Sequence, residues 1–443
     1  MDRDETQPAP APLTFGLIAR AWWPLAMSWL LMSFEQPAVA IVVARLHAPK
    51  VNLAAWGGVV FPLALVIEAP IIMMLAASTA LSKDRASYLA LRRFAHTAGA
   101  LLTALHVLLA FTPLYDALVR GLLEVPEEVV EPARLGLMLM TPWTWAIAYR
   151  RFVQGALIRF GYSRAVGVGT ALRLLTSGSI LLLGWLYEPF AGIVVAGLAI
   201  AAGVIAEAIY AHLRVRPLLA SPHELGVDRG EAPLRGWAFF SFYFPLSMTP
   251  VVGLLAQPIG SAAISRMPLP LESLAVWPIV SGLVFVLQAS GLALNEVVVA
   301  QLGRPDARRL LTRFSLLVAG GMLALHLALV LTPGARAWFG TVNQLNPTLA
   351  AMGVAGFALA LPIPALRAVT SWYQGVLVHA RATRAITESV LLFLLVAAIV
   401  LIVGVSLGTV DGVTVGFAAF SLGFMAQALW QWLRARPHLR ALA

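Results

Sequence analysis

Four arginines lie within long apolar stretches of this sequence, where a charged side chain needs a specific partner. Arg150 and Arg151 share one stretch, Arg173 lies in the next, and Arg367 lies in the second half of the chain. If these stretches cross a membrane, each arginine facing lipid costs roughly 2.5–3.5 kcal/mol on insertion scales. Guanidinium groups bind carboxylates and phosphates through two parallel hydrogen bonds. The arginines therefore indicate either an anion site or buried ion pairs.

Helical spacing groups these arginines with two glutamines. Arg150, Arg151 and Gln154 are predicted to share one helix face, and Arg367, Ser371 and Gln374 another, because three, four and seven residues return to the same side. We predict that the two faces meet between two halves of the protein and bind a small anion. The predicted substrate-binding residues are Arg150, Arg151, Gln154, Arg173, Arg367 and Gln374. The alternative is that the arginines pair with Glu35, Glu68 or Glu388 and only hold helices together.

Acidic and amide side chains within the apolar stretches form a second candidate group. Glu35-Gln36 precedes Pro37, and Glu68 precedes Pro70; a proline frees a backbone carbonyl and can bend a helix. Asn295-Glu296 ends another apolar stretch, whereas Glu207 is interpreted as lying at a membrane surface. We predict a coupling or gating role, with protons or sodium as the ion, for Glu35, Gln36, Glu68, Asn295 and Glu296. A structural pairing with arginine is the alternative.

The helices that carry these residues occur twice in the chain. Six pairs of segments match in a register of 221 positions that slips to 220 after Trp56 and Trp277. A fixed register over the whole length indicates a tandem duplication. Representative pairs are Pro24-Leu25 with Pro245-Leu246, Arg45 with Arg266, Arg93-Phe94 with Arg313-Phe314, and Gln154-Gly155 with Gln374-Gly375.

Composition places the duplication in a membrane. Of 443 residues, 60% are hydrophobic and only 12% charged, and apolar runs of about 20 residues recur along the chain. We predict an all-α polytopic protein with twelve membrane spans. The predicted boundaries are a disordered tail (1–17), an N-lobe of six spans (18–213), a linker (214–236), a C-lobe of six spans (237–434) and a short tail (435–443).

The distribution of basic residues predicts the orientation. With the N-terminus in the cytoplasm, 21 lysines and arginines fall in cytoplasmic segments and only six outside: Arg45, Lys50, Arg120, Arg134, Arg266 and Arg336. This bias predicts cytoplasmic termini. Six spans per lobe predict parallel repeats related by a pseudo-two-fold axis along the membrane normal. Because the net charge of +10 is explained by topology, we expect no nucleic-acid partner.

The sequence lacks the patterns of common enzyme active sites. It contains no P-loop, dinucleotide-binding glycine turn or His/Glu metal spacing, and no loop long enough to form a catalytic domain. Cysteine is absent, which excludes disulfides and thiolate metal sites. We predict a protein that is not an enzyme and that holds no metal or cofactor.

Short motifs along nearly the whole chain resemble the progressive ankylosis protein family, within the multidrug/oligosaccharidyl-lipid/polysaccharide (MOP) exporter superfamily. In two places the chain departs from the animal proteins: they carry an Asn-Arg pair a few residues after Glu-Gln, where Pro37 and apolar residues follow here, and an arginine at the position of Val298. The resemblance implies a MATE-like fold and export of pyrophosphate, nucleotides such as ATP, or carboxylates such as citrate. The motifs are Glu35-Gln36, Ala69-Pro70, Ser82-Lys83-Asp84-Arg85, Tyr162-Ser163, Pro245-Leu246, Leu294-Asn295-Glu296, Pro362-Ile363-Pro364 and Arg367-Ala368.

These observations favour a monomeric exporter of small anions in the bacterial inner membrane, working by alternating access between two lobes. The bacterial origin is inferred from the strong preference for arginine over lysine. Two alternatives are compatible with the same residues. One is a flippase for a lipid-linked precursor, in which arginines hold a diphosphate head group. The other is a cation-coupled multidrug exporter that uses Glu35 and Glu68.

Overall fold

The computed structural model describes residues 13–188, 190–221, 234 and 236–441, and this part of the chain is built from helices. Twelve long helices carry the fold: α1 Phe15–Val43, α2 Pro49–Leu81, α3 Arg85–Phe111, α4 Glu127–Arg159, α5 Ser163–Tyr187, α6 Gly192–Ala220, α7 Gly236–Ser265, α8 Pro270–Gln301, α9 Ala307–Leu331, α10 Pro347–His379, α11 Arg384–Leu407 and α12 Gly412–Ala441. We refer to α1–α6 as the first lobe and to α7–α12 as the second lobe.

Eleven of the described helices are long and apolar enough to cross a membrane, and α4 is the helix that differs. It is 33 residues long, so composition rather than length sets it apart. It carries Glu127, Glu128, Glu131, Arg134, Arg150, Arg151 and Arg159. α4 packs against α2, α3 and α6, which buries Arg150 and half-buries Arg134 and Arg151, whereas the charged residues near its two ends are exposed. The chain is therefore a multi-pass membrane protein of twelve long helices, as the sequence predicts.

The elements of the two lobes repeat nearly residue for residue. α1 is interrupted at Phe34 and α7 at Leu255, 221 positions apart. Short π-helical turns follow α3 and α9, at Ala117–Leu122 and Ala337–Val342, 220 positions apart. The duplication inferred from sequence is thus present in the backbone.

A π-helical turn explains the one-residue slip in the repeat register. α2 contains such a turn at Ala55–Val60, whereas its counterpart in α8 is regular α-helix over Pro270–Leu292. A π turn accommodates one extra residue without ending the helix. Partners therefore lie 221 positions apart before the turn and 220 after it, which pairs Glu68 with Gln288.

The two lobes meet with Gly57 against Pro278, its own repeat partner. A Cβ atom at Gly57 would overlap the ring of Pro278, and one at Gly58 would lie 2.9 Å from Leu274 Cδ2. In a two-fold interface, a residue touches its own counterpart only at the axis. The N-terminal halves of α2 and α8 therefore pack across the pseudo-two-fold axis.

Three of the described helices extend past the predicted domain boundaries. α1 begins at Phe15, because the Thr14 side chain caps it by accepting from Leu17 N at 3.3 Å, and Leu13 is buried. The expected tail therefore overlaps the described chain at residues 13–17, whereas 1–12 lie outside the described residues. α6 continues to Ala220 and α12 to Ala441, so helix occupies the start of the expected linker and most of the C-terminal tail. Residues 222–233 and 235 of the linker are not described.

Candidate functional site

Glu207 on α6 is the centre of a buried polar cluster in the first lobe. Its side chain is fully buried, and Arg150 Nη1 donates to its Oε2 at 2.7 Å. Gln154 Nε2 donates to Oε1 at 2.8 Å, and Thr170 Oγ1 lies 3.3 Å from the same oxygen. Arg150 and Gln154 are one turn apart on α4, so both reach one carboxylate.

Glu35 on α1 is the second carboxylate of this cluster. Arg173 of α5 donates through Nε to Glu35 Oε1 at 3.0 Å and through Nη2 to Oε2. The third nitrogen, Nη1, lies 3.8 Å from Glu207 Oε2. Ser177 Oγ is 3.4 Å from Glu35 Oε1. We call Arg150, Arg173, Glu35 and Glu207 the ion network; two cations and two anions make it neutral.

Close packing of α5 on α6 positions Arg173 within the ion network. A Cβ at Gly203 of α6 would overlap the Ser177 hydroxyl and lie 3.1 Å from Arg173 O. A larger residue at this position would push α5 away from α6. The glycine therefore supports the geometry of both carboxylates, although it carries no functional group.

Contacts in the ion network revise the predicted roles of three residues. Arg150, Gln154 and Arg173 are buried and directed to carboxylates within the first lobe. The sequence offers two interpretations of the arginines, an anion site or a structural ion pair. Arg173 forms the ion pair, with Glu35. The sequence interpretation does not include pairing with Glu207, which it places near a membrane surface; in the structure, the Glu207 side chain is fully buried against α4 and α5. The signal available in the sequence was the glutamine at its repeat position, Gln427.

Arg151 points away from the ion network, although it neighbours Arg150 in sequence. It is half-buried; its Nη1 lies 3.4 Å from Ile72 O of α2, and its Nε has no partner in the described structure. Glu68 is buried nearby and interacts with Arg151 electrostatically, but no ion pair within 4.0 Å forms among the described residues. One carboxylate oxygen of Glu68, Oε2, is also without a partner there.

Of the four candidate arginines, Arg367 on α10 is the second that has no carboxylate within 4.0 Å among the described residues. Its Nε lies 3.5 Å from Gln288 Oε1 of α8, at the limit of a hydrogen bond. Its guanidinium carbon lies 4.7 Å from the centre of the Phe424 ring of α12, within the range of a cation–π contact. Gln374, two turns further along α10, is half-buried.

The remaining candidate residues are divided between the lobes. Gln36 Oε1 accepts from Trp56 Nε1 at 3.0 Å, which ties α1 to α2. Asn295 and Glu296 follow the interruption of α8 at Ala293. Glu296 is exposed, and Asn295 Oδ1 is a buried atom without a partner in the described part of the chain. The structure thus brings Arg150, Gln154, Arg173 and Glu35 together and keeps Arg367 in the other lobe.

An apolar cavity of about 170 Å³ lies where α7 of the second lobe crosses α2 and α3 of the first. Leu101, at its edge, is 67% exposed. Ile71, in its wall, precedes the residue whose carbonyl accepts from Arg151. The cavity is lined by Pro70, Ile71, Phe94, Ala98, Leu101, Leu102 and Tyr243.

Comparison with known proteins identifies the fold. No family model and no curated protein matches this sequence. The inward-facing conformation of a multidrug resistance MATE family transporter of the MOP superfamily is 16% identical, covers 96% of this chain and 98% of that chain, and has a TM-score of 0.71.

Two further solved structures have the same arrangement. One is a MOP superfamily transporter from Pyrococcus furiosus, described as having a binding pocket of reverse polarity (15% identity, 98% of this chain and 99% of that chain, TM-score 0.66). The other is the lipid II flippase MurJ in an inward closed conformation (14% identity, 96% of this chain and 89% of that chain, TM-score 0.65). The chain therefore has the two-lobe, twelve-helix fold of MATE transporters.

Proposed function

We infer that this protein is a membrane transporter that exports a small organic or inorganic anion by alternating access between its two lobes. The observation that carries the proposal is the pair Arg151 and Arg367. Both lie in long membrane helices, and among the described residues neither has a carboxylate within 4.0 Å. Uncompensated charge at such depth is costly, so a ligand that supplies negative charge would be stabilised there.

The repeat gives these two arginines related positions. The first-lobe partner of Arg367 is Ile147, one helical turn before Arg151 on α4. Residues four apart lie on one face, so the two guanidinium groups project from matching faces of repeat-related helices. We propose that a carboxylate or phosphate substrate binds between them, with Gln374 as a neutral donor. Pyrophosphate, nucleotides and citrate-like acids are the substrate classes implied by the family resemblance.

Membrane potential supplies the driving force in this proposal. Moving an anion outward from a negative interior releases about 2.3 kcal/mol per charge per 100 mV. A multivalent anion would leave the cell without a coupling ion. Arg150, Gln154 and Arg173 then maintain the first lobe as a rigid body, and Glu68 would tune the charge at Arg151. Proton coupling through Glu35 or Glu68 is the alternative driving force, and the pH dependence of flux distinguishes the two.

The test is anion flux in proteoliposomes that hold a defined membrane potential. Labelled pyrophosphate, ATP and citrate are compared with labelled cationic drugs. We expect Arg151→Gln and Arg367→Gln to lower anion flux at least tenfold, as expected for one charged hydrogen-bond set of about 1.5–3 kcal/mol. Arg384→Gln is the matched control, because the Arg384 side chain is 90% exposed. Equal flux in all three variants would contradict the proposal.

A lipid flippase is the second candidate, and the apolar cavity beside Tyr243 favours it. An acyl or isoprenoid chain would fit an apolar crevice that reaches an exposed leucine, while Arg151 held the phosphate. Flipping of a fluorescent lipid diphosphate, compared with the same head group without its tail, separates the two functions. The multidrug alternative has less support, because the ion network pairs two of the first lobe's carboxylates with arginines.

A further inference from the structure

The outer end of α1 reaches across to the second lobe through Arg45. Its Nη2 donates to Val342 O at 2.7 Å, and its Nη1 donates to Ile41 O of its own helix at 2.6 Å. Val342 is the last residue of a π turn, where carbonyls lack partners within the helix and carry partial negative charge. Arg45 therefore caps a helix of the opposite lobe.

Arg266 makes the same contact in the other direction. Its Nη2 donates to Leu122 O at 2.7 Å, and its Nη1 donates to Ala262 O at 2.7 Å. Arg266 is the repeat partner of Arg45, and Leu122 is the repeat partner of Val342. Glu124 Oε1 adds a further contact to Arg266, at 2.9 Å.

The contacts of Arg45 and Arg266 lie on one side of the membrane, because the pseudo-two-fold axis relates one to the other. In a two-fold interface, a contact between residue i and residue j implies the same contact between their counterparts. Arg45 follows the first long helix, Leu122 the third, Arg266 the seventh and Val342 the ninth. All four thus follow an odd number of spans, on the side opposite to the start of α1. A third cross-lobe contact on this side joins Lys50 Nζ and Glu272 Oε1 at 2.7 Å.

A second reciprocal pair links the opposite ends of α1 and α7. Trp22 Nε1 donates to Ser290 O at 2.9 Å, and Tyr243 OH donates to Pro70 O at 2.8 Å. Trp22 and Tyr243 are repeat partners, as are Ser290 and Pro70. Each ring also packs edge-on against an aromatic ring of the opposite lobe, at 5.5 Å and 5.0 Å. α1 and α7 therefore contact the opposite lobe at both ends.

We propose that Arg45 and Arg266 form a paired outer gate, which must release before the lobes can separate on the outer side. Each arginine bonds to a backbone carbonyl across the axis, so both contacts break together when the lobes rotate apart. The gate rests on the proposed alternating access but not on an anionic substrate. The Trp22 and Tyr243 contacts hold the inner ends while the outer ends open.

Distance measurements between spin labels test the gate directly, because the chain has no cysteine to replace. Gly121→Cys with Thr341→Cys places labels at exposed repeat positions on the outer side of each lobe. Ala80→Cys with Ala300→Cys does the same near the inner ends of α2 and α8. Double electron–electron resonance then reports outer and inner separations independently of transport.

In Arg45→Ala/Arg266→Ala, we expect the ratio of long to short outer distances to rise about tenfold per arginine removed. Arg336→Ala is the control, an exposed arginine on the same side. Arg45→Lys/Arg266→Lys should lie between the parent and the alanine variant. If alanine impairs folding, as judged by gel filtration, the lysine variant serves in its place. If the distribution of distances between the outer labels is unchanged in the folded variants, the gate is contradicted. If these distances change but the protein transports no anion, only the proposed substrate is rejected.

Discussion

The interiors of the two lobes differ in charge far more than in shape. The described first lobe buries or half-buries Arg150, Arg151 and Arg173 with Glu35, Glu68 and Glu207. The repeat positions in the second lobe hold Thr370, Ser371, Phe393, Ala256, Gln288 and Gln427. Two carboxylates are thus matched by amides of nearly equal size, and none of the three arginines has a charged counterpart.

The difference in buried charge separates two roles of arginine, which are helix packing and ligand binding. In the ion network of the first lobe, arginine and glutamate neutralise each other, so these charges stabilise helix packing, whereas Arg151 lies outside the network and has no carboxylate within 4.0 Å among the described residues. In the second lobe, Arg367 is opposite an amide and an aromatic ring and keeps its net charge. The comparison predicts that equivalent substitutions in the two lobes have unequal, and in one case opposite, effects.

Glu207→Ala should have the largest effect on stability. It leaves Arg150 buried without its carboxylate and removes the acceptor of Gln154, which costs about 3–5 kcal/mol for a buried ion pair. The matched control, Gln427→Ala, removes a neutral side chain at the repeat position and should cost clearly less. Urea unfolding in detergent, followed by tryptophan fluorescence, measures both. Equal losses of unfolding free energy in Glu207→Ala and Gln427→Ala would contradict the proposed difference between the lobes.

Arginine-to-glutamine substitutions should change stability with opposite sign in the two lobes. Arg173→Gln breaks the pairing with Glu35 and should destabilise the protein by several kcal/mol. Arg367→Gln removes an uncompensated charge and should leave the unliganded protein as stable or more so.

The same Arg367→Gln variant should bind anions about 10- to 150-fold more weakly. Arg367→Lys should recover part of the affinity, because an ammonium lacks the planar fork. Thermal shift with and without pyrophosphate measures stability and binding in one experiment. Undiminished binding of every anion tested would make Arg367 a structural residue.

Glu68→Gln gives the first lobe the residue found at the matching position of the second. If Glu68 carries a transported proton, the variant should transport at a rate independent of pH, while the parent remains pH-dependent. Glu35→Gln is the companion variant, and its ion pair with Arg173 predicts a loss of stability in addition. pH profiles of flux that match the parent in both variants would assign the two carboxylates to structure alone.

Glu388→Gln should have the smallest effect. Glu388 meets Arg384 and Arg434 at 3.3 Å, but its side chain is 29% exposed and that of Arg384 is 90% exposed. Such surface pairs contribute about 0–1 kcal/mol. A loss of unfolding free energy as large as that of Glu207→Ala would mean that the second lobe also depends on charge.

Hydropathy and internal repetition predicted the fold well, because a membrane span and a duplication both leave signals along the whole chain. The candidate site was harder to predict from the same information. Helical periodicity states which residues share a face but not which neighbouring helix lies opposite. Periodicity groups Arg150 and Arg151 on one face, yet a step of about 100° between neighbours directs Arg150 to α6 and Arg151 to α2.

The environment of Glu207 depends on which helices surround α6. The predicted span ends at residue 213, and Glu207, six residues earlier, is therefore interpreted as lying near a membrane surface. In the structure, residues of α4 and α5 cover this position, and the Glu207 side chain is fully buried. Pairing across helices also requires the close approach at Gly203, which no local pattern encodes.

The contact of Gly57 with Pro278 has a consequence for how such a protein can evolve. In a dimer of two separate, identical six-helix chains, this position would face its own copy. Two prolines would collide there. One covalent chain removes this constraint, because the two copies of the position mutate independently. A small residue can then face a ring, and the two helices pack closely at the axis without two rings meeting there.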